Sequence, residues 1–365
     1  MTAVVWNGPD QLIYPSIPVP QPAKGEALVR VSKVGICGSD LAILRGHHAR
    51  ALPGTVLGHE FCGTVAEDPG EHYAAGTRVA IRPLISCRDR AEEQLCVACR
   101  TDNEHVCAKL GLYGVDEPGA LAPYVLVRSE SIHPVPAQTP EGLEGLAEPL
   151  AVAVHAVSRS GLRPGSSVAV FGGGPIGLLV ALVARQQGAA KVVVIEPNTW
   201  RQEVAKSYGL DVADSGADPV EEVLRRTGGD GADIVFDSAG HPSVAAVLTG
   251  ATRIQGTIMI VGVYKEPAAI DLRTVNFGEQ QIVGTRVYRK ADFQEALNLL
   301  ANDTLGLAAL PTLSFPLLGA TEAFQAAARG NDAMKVFITP GSSASETTAE
   351  GLQTPLPTLE DSTHA

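Results

Sequence analysis

Apolar and polar positions alternate with the two-residue period of half-buried strands in ALVRVS, from Ala27, and in HEFCGTVAE, from His59. Gly and Pro punctuate the text between them, so Glu26 to Val79 predicts short strands and a β-rich first domain. After Leu150 the pattern changes. AVAVHAVSRSG has helical spacing and leads into the apolar run SVAVF, the turn GGGPIG, the helical LLVALVARQQG and a second apolar run, KVVVIE. Those are the parts of a βαβ unit. ADIVFDSAG and TIMIVGVY read as further strands, with EEVLRRTGG and SVAAVLTGATRI as helices between them, which predicts a doubly wound parallel sheet. Asp292 to Leu300 reads as another helix, and the segments ending in MKVFITP are expected to return to the first domain.

Length agrees with two domains, since 365 residues exceed one ordinary core and an apolar fraction of 45% can fill two. Val168 to Ala184 approaches the length of a membrane span, but GGGP in its middle would break a spanning helix. MTAVVWNGPD lacks the basic start, apolar run and cleavage site of a signal peptide, so a cytoplasmic location is expected, where thiols stay reduced. A formal charge of −12 disfavours nucleic acids and anionic membranes and points to a small-molecule partner. Residues 341–365 are rich in Ser, Thr, Pro and Glu, without aromatic residues, Lys or Arg, and read as a disordered tail.

Candidate chemistry starts with the cysteines, all six of which fall between Cys37 and Cys107. Cys96, Cys99 and Cys107 form CxxCx7C, dense enough for a structural zinc, while Cys37 and the pair His59 and Glu60 stand apart. A lone thiol or histidine is commonly a core residue, so Cys37 and His59 gain weight only from their flanks, GICGSD and GHEFCG. In the second domain Gly172, Gly174 and Gly177 make GxGxxG directly after a strand, with Pro175 and Ile176 inside it. Such a turn brings backbone against a pyrophosphate at a helix N-terminus. Glu196 ends the next strand, where an acid accepts hydrogen bonds from a ribose diol and repels a 2′-phosphate, so NAD is expected over NADP. Arg201, five residues on, reads either as a cover for the adenosine or as a solvated helix arginine.

GICGSD, GHE, AEPLAVAVHAV and GGGPIG occur in that order in the zinc-dependent medium-chain dehydrogenases, and the chain resembles the polyol branch of that family over residues 1–340. The resemblance implies a GroES-like catalytic domain, 1–150 with 287–340, a Rossmann domain inserted at 151–286, and a homodimer or homotetramer. By position, Cys37, His59 and Glu148 resemble the catalytic zinc ligands. Glu148 is either third ligand or holder of the metal-bound water, and Glu60 occupies the place of a carboxylate that can visit the metal. The structural site departs from the usual CxxCxxCx7C, because Glu93 stands where the first cysteine should. Cys87, nine residues before Cys96, is the preferred fourth ligand and Glu93 the alternative.

The activity so implied is reversible oxidation of a secondary alcohol, with zinc as Lewis acid and NAD as hydride acceptor. Ser39 matches the hydroxyl that receives the proton. Many relatives carry a relay histidine where this chain has Ala42, and His47 and His48 are the nearby substitutes. Arg286 and Tyr288 in GTRVY lie where polyol relatives place groups near the substrate. CGSDLAILRG resembles cyclitol and aminocyclitol dehydrogenases, while linear polyols, butanediol, sugars and threonine remain open as substrates. A non-enzymatic NAD-binding protein is the reading of a different class, and the retained ligand set opposes it.

Overall fold

Val29 and Val31 point into a core while Arg30 and Ser32 point out of it, and this alternation builds the first long strand, β1 (Glu26–Gly35). The computed structural model describes residues 1–213 and 217–341. The expected tail, apart from Gly341, lies outside them. Helix α1 (Gly38–Leu44) follows β1, and then come β2 (Glu60–Glu67), β3 (Arg78–Ile81), β4 (Tyr124–Arg128) and β5 (Ile132–Pro134). β1 pairs antiparallel with β2, and its first half also pairs with β4. Two register shifts in the β1–β2 ladder bring Gly35 opposite Glu60.

Helix α2 (Ala147–Arg159) leads into the second unit. There β6 (Ser167–Phe171), α3 (Pro175–Gln186), β7 (Lys191–Ile195), α4 (Thr199–Ser207), β8 (Asp211–Val212), α5 (Pro219–Arg226), β9 (Ala232–Asp237), β10 (Thr252–Ile260) and β11 (Gln281–Gly284) follow one another. The sheet runs β8-β7-β6-β9-β10-β11 and every pairing is parallel. The order reverses between β6 and β9, which makes the carboxyl end of β6 a topological switch point. Local chemistry sets the helix starts: Asn198 caps α4 by accepting from the Arg201 N–H, and Asp218 caps α5 ahead of Pro219.

SVAAVLTGATRI is not one helix. Pro242–Ala245 and Leu248–Ala251 are short helical turns, and Thr252 already starts β10. A register shift next to Thr252, with Gln255 at φ 57°, hides the strand's alternation.

Helix α6 (Lys290–Ala301) carries the chain back, and β12 (Thr312–Pro316) and β13 (Lys335–Thr339) complete the first sheet, in the order β5-β3-β2-β1-β13-β12 with β4 beside β1. Contacts divide the described residues into Met1–Glu148 with 297–341, and Pro149–Ala296. The second crossing thus lies within α6, later than the expected 287. Among the described residues no helix is long and apolar enough to cross a membrane.

Candidate functional site

Strand register assembles the first cluster. Gly35 lies opposite Glu60 of β2 and opposite Phe337 of β13, so the end of β1 and the starts of β2 and β13 share one end of the sheet. Cys37 follows β1, and His59 and Glu60 enter β2. One ligand atom each from Cys37, His59 and Glu60 lies within 4.8 Å of the others, and both His59 and Glu60 are buried. Thiolate, imidazole and carboxylate are the donor types that zinc takes, so these residues fit the metal.

Asp40 orients the cluster. As the third residue of α1 it accepts the Cys37 N–H at 2.9 Å, and its Oδ1 lies 3.4 Å from His59 Nδ1. A carboxylate on Nδ1 leaves Nε2 as the metal-binding nitrogen. Burial works against a charge on His59, but Asp40 and Cys37 outweigh it and hold its pKa well above the ordinary value. Ser39 Oγ lies 3.3 Å from His59 Nε2. Neither Asp40's role nor that of Lys335 was visible in the linear text, although an acid three residues after Cys37, at a helix start, is a detectable signal for the first.

Lys335 is buried and forms an ion pair with Glu60. Burial opposes its charge, yet Glu60, Cys37 and Glu148 together raise its pKa. Glu148, buried in the first turn of α2, thus acts on the same ammonium, but the carboxylate that converges with Cys37 and His59 is Glu60. His48 is half-buried, and its Nδ1 accepts the N–H groups of Arg50 and Ala51 at 3.3 Å, which leaves Nε2 as its outward nitrogen. Burial first, then Arg50, lowers its pKa, and His59 and Asp40 also act on it. His47 is exposed. Tyr288 is fully buried against Phe293, at 5.6 Å between ring centroids, so its ring faces the core and not a solvent-filled site; Arg286 is exposed.

A second cluster joins Cys87, Cys96, Cys99 and Cys107, all free thiols. Cys87 Sγ lies 3.3 Å from Cys99 Sγ and 3.4 Å from Cys107 Sγ, and Cys96 Sγ lies 3.8 Å from Cys107 Sγ. Four sulfurs about 2.3 Å from a zinc form a tetrahedron with edges of about 3.8 Å. Backbone N–H groups of Cys87 and Lys109 point at Cys107 Sγ, and that of Ala108 at Cys96 Sγ. The Ala108 and Cys99 amides bring the Cys96 thiol down to about 6, while burial pushes Cys99 up to about 12. Glu93 is exposed and outside the cluster; Cys87 instead turns inward, just beyond Leu84–Ile85, which pairs antiparallel with Gly111–Leu112. Cys62 is buried, and burial pushes its thiol up to about 12, which suits an inert core residue.

The glycine turn lies between β6 and α3. Gly172 has φ 93°, a left-handed value open to glycine, and a side chain on Gly177 would overlap the Gly172 carbonyl oxygen. At Gly174 an added carbon meets only Arg201, at 3.7 Å, so that position faces open space. Gly174 caps α3 without a side chain, and Pro175 takes the first turn. The cradle fits a pyrophosphate on the helix N-terminus. Glu196, buried just beyond β7, accepts the N–H of Gly173 at 2.7 Å and of Asn198 at 2.8 Å, which fixes the acid beside the turn. Arg201 lies 4.0 Å from it.

Comparisons with known proteins agree with both halves. Residues 23–137 match the alcohol dehydrogenase GroES-like domain, and residues 175–302 match the zinc-binding dehydrogenase domain. The chain is 34% identical to the 2-dehydro-3-deoxy-L-galactonate 5-dehydrogenase of Pseudoalteromonas atlantica, over 87% of this chain and 92% of that one. It is 31% identical to the sorbitol dehydrogenase of Halalkalibacterium halodurans, over 88% and 94%. The crystal structure of 2R,3R-butanediol dehydrogenase from Bacillus subtilis superposes with a TM-score of 0.85 at 28% identity, covering 93% of this chain and 99% of that one. With its thiolate and imidazole clusters, its glycine turn and these relatives, the chain belongs to the zinc-dependent medium-chain alcohol and polyol dehydrogenases, oxidoreductases that act on CH–OH groups with zinc and a nicotinamide cofactor.

Proposed function

We propose that the chain oxidises a secondary alcohol of a polyhydroxylated substrate to the ketone with NAD. The convergence of Cys37, His59 and Glu60 carries this reading. When bound, zinc acidifies an alcohol and NAD accepts hydride. The chain's own groups prepare that chemistry: Asp40 fixes the His59 ring, and Lys335 holds Glu60 by charge. Ser39 Oγ, beside His59 Nε2, receives the alcohol proton. With Ala42 in place of the relay histidine, His48 takes the proton onward; an unchanged pH profile in His47→Gln with His48→Gln would exclude this. Glu148 completes the donor set.

NAD is preferred because the fixed carboxylate of Glu196 would repel a 2′-phosphate. A tenfold preference for NADP, measured side by side, would overturn this. For the substrate, CGSDLAILRG favours a ring polyol, a cyclitol or aminocyclitol. The relatives are named for a sugar acid, sorbitol and butanediol, and these form the other arms of the test. NAD reduction by the zinc-loaded chain across cyclitols, linear polyols, sugar acids, butanediol and threonine decides among them. Turnover of none would favour a binding protein.

The assembly follows from an uncovered edge. β11 closes one side of its sheet, and Leu272, Phe277 and Ile282 near it are exposed, Phe277 by 76%. A second copy of the chain covers them in this reading, giving a homodimer. Ile282→Lys would then shift the chain to monomer in light scattering, and an unshifted dimer would place the interface elsewhere. The thiolate cluster suits a reducing compartment, the cytoplasm.

A further inference from the structure

Asp237, the last residue of β9, is fully buried and gathers two loops around itself. Its Oδ1 accepts the N–H groups of Ala239 and Gly240 at 3.0 and 2.9 Å. Its main-chain oxygen accepts those of Val261 and Gly262, beyond β10, at 2.9 and 2.7 Å. The remaining carboxylate oxygen, Oδ2, accepts the Tyr264 hydroxyl at 2.6 Å. The loops also touch directly: a side chain on Gly262 would overlap the Gly240 nitrogen, and one on Gly240 would lie 3.0 Å from the Val263 nitrogen.

The first loop in turn leans on the glycine turn. A carbon added at Gly172 would lie 3.1 Å from the Ala239 nitrogen, and one at Gly177 would lie 3.3 Å from Ser238 Cβ. Ser238 Oγ is buried and has no hydrogen-bond partner among the described residues. A ledge therefore runs from GGGPIG through Ser238–Gly240 to Gly262–Tyr264, with Val263 exposed by 88% on it.

Strand order says which half of a dinucleotide this ledge serves. β6 carries the glycine turn, with β7 and Glu196 on one side and β9 and β10 on the other. If the pyrophosphate sits on the turn and the adenosine ribose on Glu196, the other half extends over the carboxyl ends of β9 and β10. We propose that Tyr264 is a positioning residue for the nicotinamide half of the cofactor: its hydrogen bond to Asp237 fixes the Gly262–Tyr264 loop as the floor beneath the ring. This rests on the cofactor reading above. Burial and the neighbouring Asp237 charge raise the Tyr264 pKa, so the phenol stays a neutral donor. An O–H···O⁻ bond of this length is of the strong, charge-assisted kind.

The test is Tyr264→Phe in the zinc-loaded full chain, with calorimetric titration of NADH and of ADP-ribose, which lacks the nicotinamide. Loss of a hydrogen bond to a charged group weakens NADH binding by about tenfold or more, while ADP-ribose stays within about twofold. Equal weakening of both ligands would make the bond a general staple, and unchanged NADH binding would make the loop indifferent to it; either result overturns the inference. If the unaltered chain bound neither ligand, the cofactor reading itself would fall. A thermal melt of the variant within a few degrees of the parent shows that the fold is intact.

Discussion

Glu60 and Lys335 form an ion pair almost wholly out of water, with side-chain exposures of 1% and 5%, where β2 and β13 flank the end of β1. Desolvating both charges is costly, so the pair resists one-sided removal more than it stabilises as a unit. Lys335→Met should destabilise the metal-free chain by about 3–5 kcal/mol, because without zinc Glu60 is left as an uncompensated buried charge. Lys335→Met combined with Glu60→Gln should recover most of that loss. Urea unfolding of the four-member cycle checks it, and additive single effects would mean the two charges do not interact.

The cysteine cluster predicts an all-or-none metal count. Cys87→Ser should lower bound zinc by one per chain, and the melting temperature with it, because a structural zinc contributes folding energy directly. Glu93→Gln should change neither, since Glu93 is exposed and outside the cluster. Elemental analysis of both variants decides, and zinc loss in Glu93→Gln would restore the alternative ligand.

Two glycines of one turn should respond differently to the same methyl. Gly177→Ala would overlap the Gly172 carbonyl oxygen, so the β6–α3 crossing must open and both stability and NADH binding should fall. Gly174→Ala meets only Arg201 at 3.7 Å and should leave the melting temperature within a few degrees. Its methyl stands where backbone must approach the pyrophosphate, so NADH binding should still weaken. Retained NADH affinity in Gly174→Ala would place the phosphates elsewhere.

These contrasts show where the linear text suffices. The middle of β1 is legible because buried Val29 and Val31 alternate with exposed Arg30 and Ser32, and the glycine turn because strand, turn and helix chemistry coincide within a few residues; in β2 Glu60 to Gly63 are all buried, so its polar positions in the text do not mark a solvent face. For the fourth ligand the text prefers Cys87 but leaves Glu93 open, since spacing does not tell which side chain turns inward. Lys335 is invisible there: MKVFITP reads as an ordinary strand, and only the antiparallel register of β13 on β1 brings its ammonium to Glu60. Tyr288 misleads for the reverse reason, because the text does not reveal that its ring packs inward on Phe293.

Acid sensitivity should trace in part to Asp292, which joins α6 to α2 through His155 Nδ1 at 2.7 Å. Burial opposes the Asp292 charge, but His155 and the Arg289 N–H at 2.8 Å outweigh it and hold the carboxyl below its ordinary pKa. The folded chain therefore binds this proton less readily than the unfolded chain. Its contribution to stability is complete above the unfolded carboxyl value of about 3.9 and is lost as pH falls below that toward the lower folded value. Asp292→Asn removes the charge at every pH. It should cost about 1–2 kcal/mol at pH 7, and the gap to the parent should narrow as pH drops below about 4. Both chains experience the same loss of other carboxylates and of metal, so the difference between them isolates Asp292 together with its partner His155. Denaturant unfolding across pH 3 to 7 measures it, and a gap that stayed constant over that range would show that the Asp292 contribution is packing and not charge.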